Sequence, residues 1–543
     1  MKKVIPCIIL ISLLAGCVPN SQTQNTSSLN NQVNSSLPAQ GKSNSWWNDA
    51  VFYEIFVRSF YDSNGDGIGD FNGITQKLDY LQTLGINALW LMPVYPSPSY
   101  HGYDVTDYFN VNPDYGTMDD FKTLLTEAHE RGMKVILDLE LNHTSDQNPW
   151  FTSANAATNS AYRNWYIWSD TEPAYTGPLG LAWFAGKSGY YYGVFGAGMP
   201  DLNYTNPAVT TEMDKVVAFW LNDIGVDGFR LDAINYLIEE GEKQINTAST
   251  HAWLKGFYKT YKSDNPGAFT IGEVYGSDAS LGATYTGDQM DMVFDFEIAS
   301  SILNSTIGGS NSAINSALTF AQQSLPDWQF GTFLTNHDQN RTMSTLSGNI
   351  DQAKTAAFLL LTAPGTPFIY YGEEIGMQGE KPDENIRLPM QWSADTNAGF
   401  TTGIPWEAPN SDYLTVNVVA EENDKGSLLG EYSQLISIRR SFAALRDGGL
   451  SILSSRNSAI YATLRYDGQN TFLVLANLGK VDVKNIQLSL PAGILAAGNY
   501  SLQPVYGAGT FSDVHVASDG TAAFSPLSDI PAYAQYILQF RKQ

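Results

Sequence analysis

Hydrophobic and polar positions alternate along the chain in two regular ways. Short runs of β-branched and aromatic residues recur from residue 46 onward, and apolar residues spaced three and four apart fill several stretches between them. The runs indicate buried strands and the stretches indicate amphipathic helices. Eight predicted strands lie near residues 51–57, 88–92, 134–139, 228–231, 269–272, 292–296, 331–334 and 366–371, and predicted helices lie at 74–84, 118–131, 208–223 and 250–262. Eight such units predict an α/β fold with a closed (β/α)8 barrel.

Two regions depart from this repeat. The gap between the third and fourth predicted strands is far longer than one helix needs, and residues 143–203 are rich in Trp, Tyr and Gly. We expect a subdomain inserted there, after strand 3. From about residue 445 the helical pattern stops, and alternating runs separated by Gly, Asn and Asp turns predict a C-terminal antiparallel β-sandwich domain at 445–543. The barrel is then expected to comprise residues 46–142 and 204–444.

The first 45 residues carry a targeting pattern. Two lysines precede an apolar stretch, residues 4–14, which is too short for a membrane-spanning helix of about 20 residues but suits a signal-peptide core. Residues 14–17, Leu-Ala-Gly-Cys, resemble the lipobox of bacterial lipoproteins, which implies removal of residues 1–16 and lipidation of Cys17. The polar residues 17–45 predict a flexible tether. The predicted location is extracytoplasmic, with the lipid as the sole membrane anchor; an ordinary secretory signal with an incidental cysteine is the alternative.

The charge and composition of the chain limit the classes of molecule that it is expected to bind. The formal net charge of −25 and pI near 4.5 give an average field that repels nucleic acid, which we exclude as a partner. The hydrophobic fraction of 43% suffices for a large core. The 12 Trp, 30 Tyr and 26 Phe residues exceed what a core needs, and aromatic faces outside cores often stack on sugar rings. A carbohydrate partner fits both observations.

Polar residues follow four predicted strands at the point where each strand ends. Residues 138–143 read Asp-Leu-Glu-Leu-Asn-His, residues 228–233 read Gly-Phe-Arg-Leu-Asp-Ala, residues 272–275 read Gly-Glu-Val-Tyr, and residues 335–338 read Thr-Asn-His-Asp. The active site of a (β/α)8 barrel lies at this end of its strands, so we expect these side chains to converge. Retaining glycoside hydrolysis requires one ionised and one protonated carboxyl group about 5–5.5 Å apart, which such a rim could supply.

In order and spacing, these four segments resemble the signature regions of the α-amylase family of glycoside hydrolases. Residues 199–203, Met-Pro-Asp-Leu-Asn, resemble a fifth region, in a form intermediate between oligo-1,6-glucosidases and neopullulanases. The resemblance implies that Asp232 is the nucleophile, Glu273 the acid/base and Asp338 the acid that stabilises the transition state. It also implies substrate contacts from Tyr103, His101, His143, Arg230, His337 and Arg387. Arg230 shares a strand face with Asp232 and is expected to keep it ionised while Glu273 stays protonated.

Two segments favour different modes of attack. Exo-acting relatives carry an acid three residues before the tyrosine that stacks on the sugar, whereas here Tyr100 precedes Tyr103, which favours an open cleft. Residues 387–392, Arg-Leu-Pro-Met-Gln-Trp, resemble a segment of oligosaccharide-type α-glucosidases, which favours a closed pocket. Ala233, directly after Asp232, matches α-1,4-specific relatives.

The function expected from these features is that of a monomeric α-amylase, which hydrolyses internal α-1,4-glucosidic bonds of starch-like glucans with retention. An α-glucosidase, a neopullulanase-like hydrolase or a 4-α-glucanotransferase would use the same catalytic residues. A glucan-capture lipoprotein is the non-enzymatic alternative, although all three acids are present.

Residues 62–70, the acidic loop, read Asp-Ser-Asn-Gly-Asp-Gly-Ile-Gly-Asp and place oxygen side chains at alternate positions around glycines, an arrangement that suits Ca²⁺. An EF-hand is excluded because its twelfth position requires Glu and Gly73 stands there. A similar loop in oligo-1,6-glucosidase relatives implies calcium binding, whereas a plain Gly/Asp-rich turn is the alternative. The predicted calcium ligands are Asp62, Asn64, Asp66, the carbonyl of Ile68, and Asp70.

Overall fold

The computed structural model describes residues 45–325 and 327–543, and its centre is a closed barrel of eight parallel strands. The strands, in chain order, are β1 (Phe52–Ile55), β2 (Ala88–Leu91), β3 (Lys134–Leu139), β4 (Trp168–Ser169), β5 (Trp183–Ala185), β6 (Tyr190–Tyr192), β7 (Gly228–Leu231), β8 (Phe269–Gly272), β9 (Met292–Phe294), β10 (Phe330–Thr332), β11 (Thr366–Tyr370), β12 (Gly449–Ile452), β13 (Ser454–Ser455), β14 (Ile460–Tyr466), β15 (Thr471–Asn477), β16 (Val483–Lys484), β17 (Leu488–Leu490), β18 (Gly498–Tyr506), β19 (Val514–Val516), β20 (Ala522–Phe524), β21 (Asp529–Ile530) and β22 (Gln535–Lys542). Around the barrel the order is β1, β2, β3, β7, β8, β9, β10 and β11, closing on β1.

Most of the barrel strands are followed by helices that cover them. The α-helices are α1 (Val57–Phe60), α2 (Phe71–Leu84), α3 (Met118–Glu130), α4 (Pro149–Ala156), α5 (Pro207–Ala218), α6 (Ala248–Asp264), α7 (Ala279–Ala283), α8 (Phe296–Gly308), α9 (Ser312–Ser324), α10 (Thr342–Thr345), α11 (Ile350–Thr362), α12 (Asp383–Ile386), α13 (Val418–Glu421), α14 (Leu428–Ser441) and α15 (Ala443–Arg446). Helix α2 begins three residues before the predicted start because the Asp70 side chain accepts from the Gly73 N–H and caps it. The predicted helix 208–223 is divided, since a π-helical turn (Phe219–Ile224) follows α5.

Aromatic side chains fill the barrel interior. Phe52 and Phe368 stack with ring centroids 4.3 Å apart, and Phe294 packs edge-on against Phe368 at 4.9 Å. Gly331 has to be glycine at this layer, because a Cβ atom there would lie 2.7 Å from Ile271 and 2.9 Å from Phe368. The interior is therefore a packed core without a channel.

Two tryptophans close the N-terminal end of the barrel. Trp46 packs 5.5 Å from Phe269 and Trp47 packs 5.2 Å from it, where Phe269 is the first residue of β8. The indole N–H of Trp46 also donates to the carbonyl of Gly267 at 3.1 Å. The short helix Trp46–Asp49 thus forms an aromatic plug at the end opposite to the strand C-termini.

The remaining strands form separate sheets. Strands β4, β6 and β5 make a small antiparallel sheet between β3 and β7 in the sequence. After α15, a six-stranded sheet in the order β12, β14, β15, β22, β18 and β19 carries the C-terminal domain, with two smaller antiparallel sheets beside it. The predicted barrel and C-terminal antiparallel domain are confirmed; the domain boundaries at residues 143, 203 and 445 stay predictions.

The predicted signal peptide, Cys17 and nearly all of the predicted tether lie outside the described residues. Within the described ranges, no helix has the length and apolar character required to cross a membrane.

Candidate active site

A cavity of about 420 Å³ opens above the C-terminal ends of the barrel strands. Seven of the nine predicted catalytic and substrate-binding residues line it, and the remaining two, Arg230 and His337, are buried against those lining residues. The lining ones are His101, Tyr103, His143, Asp232, Glu273, Asp338 and Arg387. The structure therefore brings together residues that the sequence separates by almost 300 positions.

Strand register explains how one arginine reaches three acids. β3 and β7 are parallel neighbours with Asp138 opposite Arg230, and both side chains are buried. One terminal nitrogen of Arg230 lies 2.6 Å from Asp138 and 2.7 Å from Asp232, and the other lies 2.7 Å from Glu273. Arg230 thus contacts Asp232, as their shared strand face predicts, and also Asp138 and Glu273. Asp138, which the sequence analysis leaves without a role, is the innermost member of this cluster.

Burial dominates the protonation of the two acids on either side of Arg230. It raises the pKa of Asp232 to about 6, although the guanidinium of Arg230 acts in the opposite direction. Burial also raises the pKa of Glu273 to about 7, again against Arg230 and with the help of the Asp232 charge. The charge of an ionised Asp232 thus favours a protonated Glu273, which is the combination that a nucleophile and an acid require.

The residue after the nucleophile candidate adopts an uncommon backbone conformation. Ala233 has φ +48°, in the left-handed region that non-glycine residues seldom occupy. Its N–H donates to a carboxyl oxygen of Glu273 at 3.3 Å. This hydrogen bond links the turn after β7, where Asp232 lies, to the carboxyl group of Glu273.

His337 lies beneath Tyr103. Its Nε2 is 2.6 Å from the Tyr103 hydroxyl, and its Nδ1 is 2.5 Å from a carboxyl oxygen of Glu54 on β1. Burial lowers the pKa of His337 to about 3 and raises that of Glu54 well above its ordinary value, so the pair holds its proton as a neutral unit. Glu54 belongs to no recognisable motif, and the only signal for it in the sequence is that it is the single acid of an otherwise uncharged, buried strand.

The other two histidines flank Tyr103 at the cavity wall. Nδ1 of His101 accepts from the Tyr103 N–H at 3.1 Å, and Nε2 of His143 lies 3.1 Å from the Tyr103 carbonyl. Burial lowers the pKa of His143 to about 4 and also lowers that of His101. Both rings therefore enter the site uncharged at neutral pH and offer hydrogen bonds without adding charge.

Arg387 binds the third acid. It donates to Asp338 at 3.0 Å, to Asp383 at 3.2 Å and to the His337 carbonyl at 3.0 Å. Burial would raise the pKa of Asp338, yet the guanidinium groups of Arg387 and Arg230 lower it below its ordinary value. Asp338 is accordingly ionised in the range where Glu273 keeps its proton.

Tyr100 stands behind Arg387 and outside the cavity lining. The Tyr100 ring stacks on Trp406 with centroids 5.5 Å apart, and the Arg387 guanidinium carbon lies 6.0 Å from its ring. Trp406 comes from a segment more than 300 residues further along the chain. The acidic loop supports it, since the backbone N–H of Trp406 donates to the Gly67 carbonyl at 2.9 Å.

The acidic loop folds its oxygen side chains back on its own backbone. Asp62 accepts from the N–H groups of Asn64, Gly65 and Gly67, and the side chains of Asn64 and Asp66 each accept from the N–H two residues on. Asp70 caps α2. In the described part of the chain, no three His, Cys, Asp or Glu side chains are gathered as a metal site. The predicted calcium ligands are three carboxylates, the Asn64 amide and the Ile68 carbonyl. All of them offer oxygen atoms, the type of ligand that Ca²⁺ binds.

The comparisons with known proteins agree on one protein family. The model described as "Alpha amylase, catalytic domain" matches residues 54–448. The chain is 41% identical over 449 residues to Alpha-amylase 3 of Dictyoglomus thermophilum, covering 81% of this chain and 87% of that protein. It is 35% identical over 516 residues to an oligo-1,6-glucosidase of Parageobacillus thermoglucosidasius, covering 80% and 91%. The crystal structure of an α-amylase from H. orenii superposes with a TM-score of 0.79 at 37% identity, covering 91% and 99%.

Proposed function

The chain belongs to the α-amylase family of glycoside hydrolases and is an enzyme, and from this premise we propose that it hydrolyses internal α-1,4-glucosidic bonds of starch-like glucans with retention of configuration. The observation that carries the proposal is the pair of carboxyl groups, Asp232 and Glu273, held by the two terminal nitrogens of one buried guanidinium. That arrangement keeps the two groups close, as a retaining mechanism requires.

The proposed reaction has two steps. Asp232 attacks the anomeric carbon while Glu273 donates its proton to the glycosidic oxygen, so that the leaving chain departs as a neutral alcohol. Glu273, now ionised, then takes a proton from water, whose oxygen attacks the anomeric carbon and releases Asp232. The ionised Asp338 and the neutral rings of His101 and His143 are positioned to hold the sugar hydroxyls. Tyr103 supplies an aromatic face at the cavity wall.

Support for internal cleavage comes from Tyr100, which replaces the acid of exo-acting relatives, and from the similarity to α-amylases. The similarity to an oligo-1,6-glucosidase and the contact of Arg387 with Asp338 favour α-glucosidase activity as the second candidate. A neopullulanase-like hydrolase would follow the same two steps on a different glucan, and a 4-α-glucanotransferase would replace the water of the second step with a sugar hydroxyl.

A maltoheptaoside with a chemically blocked non-reducing end separates the two candidates. An internal cutter is expected to cleave the blocked and free forms at comparable rates, and to lower the viscosity of starch long before much reducing sugar forms. Cleavage of the free form alone, with glucose as the first product, would replace the α-amylase proposal with the α-glucosidase one.

We also propose that the acidic loop binds Ca²⁺, which when bound would neutralise the loop carboxylates and fix the turn. A ligand that binds only the folded state stabilises it by about 2.7 kcal/mol at a hundred times its Kd. Chelation should therefore lower the Tm of the wild type. Asp66→Asn keeps the oxygen that accepts from the Ile68 N–H but removes the charge, so its Tm should respond little to chelator.

Elemental analysis and calorimetric titration with Ca²⁺ complete this test. Asp119→Asn, an acid in the first turn of α3, serves as the control and should keep the calcium response. A wild type that contains no calcium, and whose Tm ignores both chelator and added calcium, would leave the loop as a plain turn.

The sequence of residues 14–17 further supports a proposed lipid anchor at Cys17. Cys17→Ser should move the enzyme from the membrane fraction of the cell to the soluble fraction, because stable attachment depends on the acyl chains. Fractionation with an activity assay, and mass spectrometry of the N-terminus, measure the effect. An unmodified N-terminus on soluble wild-type protein would contradict the proposal.

A further inference from the structure

A chain of paired, charged side chains lines one part of the cavity wall. Asp383 bonds to the Lys381 ammonium group on one side and to Arg387 on the other, where the Asp383–Arg387 distance is 3.2 Å. Arg387 continues the chain to Asp338 at 3.0 Å. All four residues line the cavity. We call Lys381, Asp383 and Arg387 the ionic bridge.

The inner and outer members of the ionic bridge differ in how firmly they are held. The Arg387 side chain is 3% exposed and is fixed by the His337 carbonyl and the stacked Tyr100 and Trp406 rings behind it. The Asp383 and Lys381 side chains are 37% and 48% exposed. Solvent-exposed ion pairs contribute little to stability, so the outer pair can separate while the buried Arg387 stays in place.

The side of the cavity occupied by the ionic bridge follows from the proposed role of Glu273. An acid that protonates the leaving oxygen has to face the leaving part of the substrate, and Glu273 directly follows β8, next to β7. Asp338 and Arg387 come after β10 and β11, two and three strands further around the barrel, and Asp383 pairs with Arg387. The ionic bridge therefore lies towards the non-reducing part of the glucan.

On this basis we propose that the Lys381 and Asp383 pair is a displaceable barrier that determines whether the non-reducing end of a substrate is bound as an end or passes through. When paired, the two side chains offer a carboxylate acceptor and an ammonium donor to the hydroxyls of a terminal glucose. When a longer chain enters, the pair separates at little cost and the cleft stays open. The inference rests on the proposed hydrolysis of α-glucans. It explains how Tyr100, which favours an open cleft, and residues 387–392, which favour a closed pocket, can occur in one chain.

The test compares two substrates in four variants. End-blocked maltoheptaoside requires passage, whereas 4-nitrophenyl α-glucoside presents only a terminal glucose. In Lys381→Ala and Asp383→Ala, the ratio of kcat/KM on the first substrate to that on the second should rise about tenfold, mostly through a higher KM for the small substrate. Lys381→Arg keeps the charge pair and should keep the ratio. Glu384→Ala is the matched control, since it removes an acid from the same helix turn outside the cavity lining.

Ionic strength provides a readout that a merely structural role would not change. Raising the salt from 0.1 to 1 M shortens the screening length from about 10 to about 3 Å, so the wild-type ratio should rise with salt and the Asp383→Ala ratio should not. If the ratio is unchanged in both alanine variants, the barrier proposal is wrong. If the wild type in the same experiment cleaves the blocked substrate, the α-amylase proposal is unaffected. Cleavage of the blocked substrate by the variants alone would support the barrier and overturn internal cleavage by the wild type.

Discussion

Replacing Asp232 with asparagine should lower kcat on maltooligosaccharides by about 10⁴-fold, which corresponds to about 5 kcal/mol in the activation barrier. The amide cannot form the covalent glycosyl intermediate, while it keeps the shape of a side chain that accepts from Arg230. The fold should therefore survive, as circular dichroism and the melting curve would report. Asp288→Asn, at an exposed ion pair with Lys255, is the control and should keep wild-type turnover.

The proposed roles of Asp232 and Glu273 also predict how kcat/KM depends on pH. Activity needs Asp232 ionised and Glu273 protonated, so kcat/KM should rise through about pH 6 and fall through about pH 7. Glu273→Gln cannot donate a proton, so its residual activity should lose the alkaline fall and should recover on substrates with good leaving groups, which depart without protonation. Near-wild-type turnover in either variant would show that the roles are assigned to the wrong residues.

Replacing Arg230 with glutamine should be the most damaging single change to the floor of the cavity. It would leave three buried carboxyl groups without their shared positive charge, and removal of one partner from a buried ion pair typically costs about 3–5 kcal/mol. Activity should fall at least about a thousandfold because Asp232, without the charge that lowers its pKa, would no longer be ionised and able to attack. Urea unfolding and steady-state kinetics measure the two effects.

The pH dependence of that destabilisation distinguishes lost charge from lost packing. Without Arg230 the folded-state pKa values of the three acids rise further above their unfolded values, so the folded state binds more protons than the unfolded state does. Stability then falls as the pH rises. The deficit of Arg230→Gln relative to wild type should be larger at pH 8 than at pH 5, and the exposed Arg541→Gln should show no deficit at either pH. An equal deficit at both values would indicate packing alone.

The barrel could be predicted from the sequence because its strands are short apolar runs that stand apart from their surroundings. The start of a helix was harder to predict where it depends on one capping side chain. Asn72 and Gly73 have low helix propensity, yet Asp70 caps α2 and the helix begins before them. The site itself was predicted where its residues end strands, because parallel strands deliver their C-terminal ends to one rim.

The residues that were missed reach the site by other routes. Glu54 meets His337 across 283 positions of sequence, and no local pattern encodes that contact. Asp383 lies in a short helical turn whose place beside Arg387 is set by tertiary packing. Arg230 was identified, but its second carboxylate partner follows from the pairing of β7 with β8, which a single sequence does not display.

The aromatic plug at the base of the barrel has a consequence for access to large substrates. Because Trp46 and Trp47 pack against Phe269, the described chain begins at the end of the barrel opposite to the cavity mouth. Branched or granular polymers can therefore approach the cavity mouth without meeting the plug or the residues that begin the described chain.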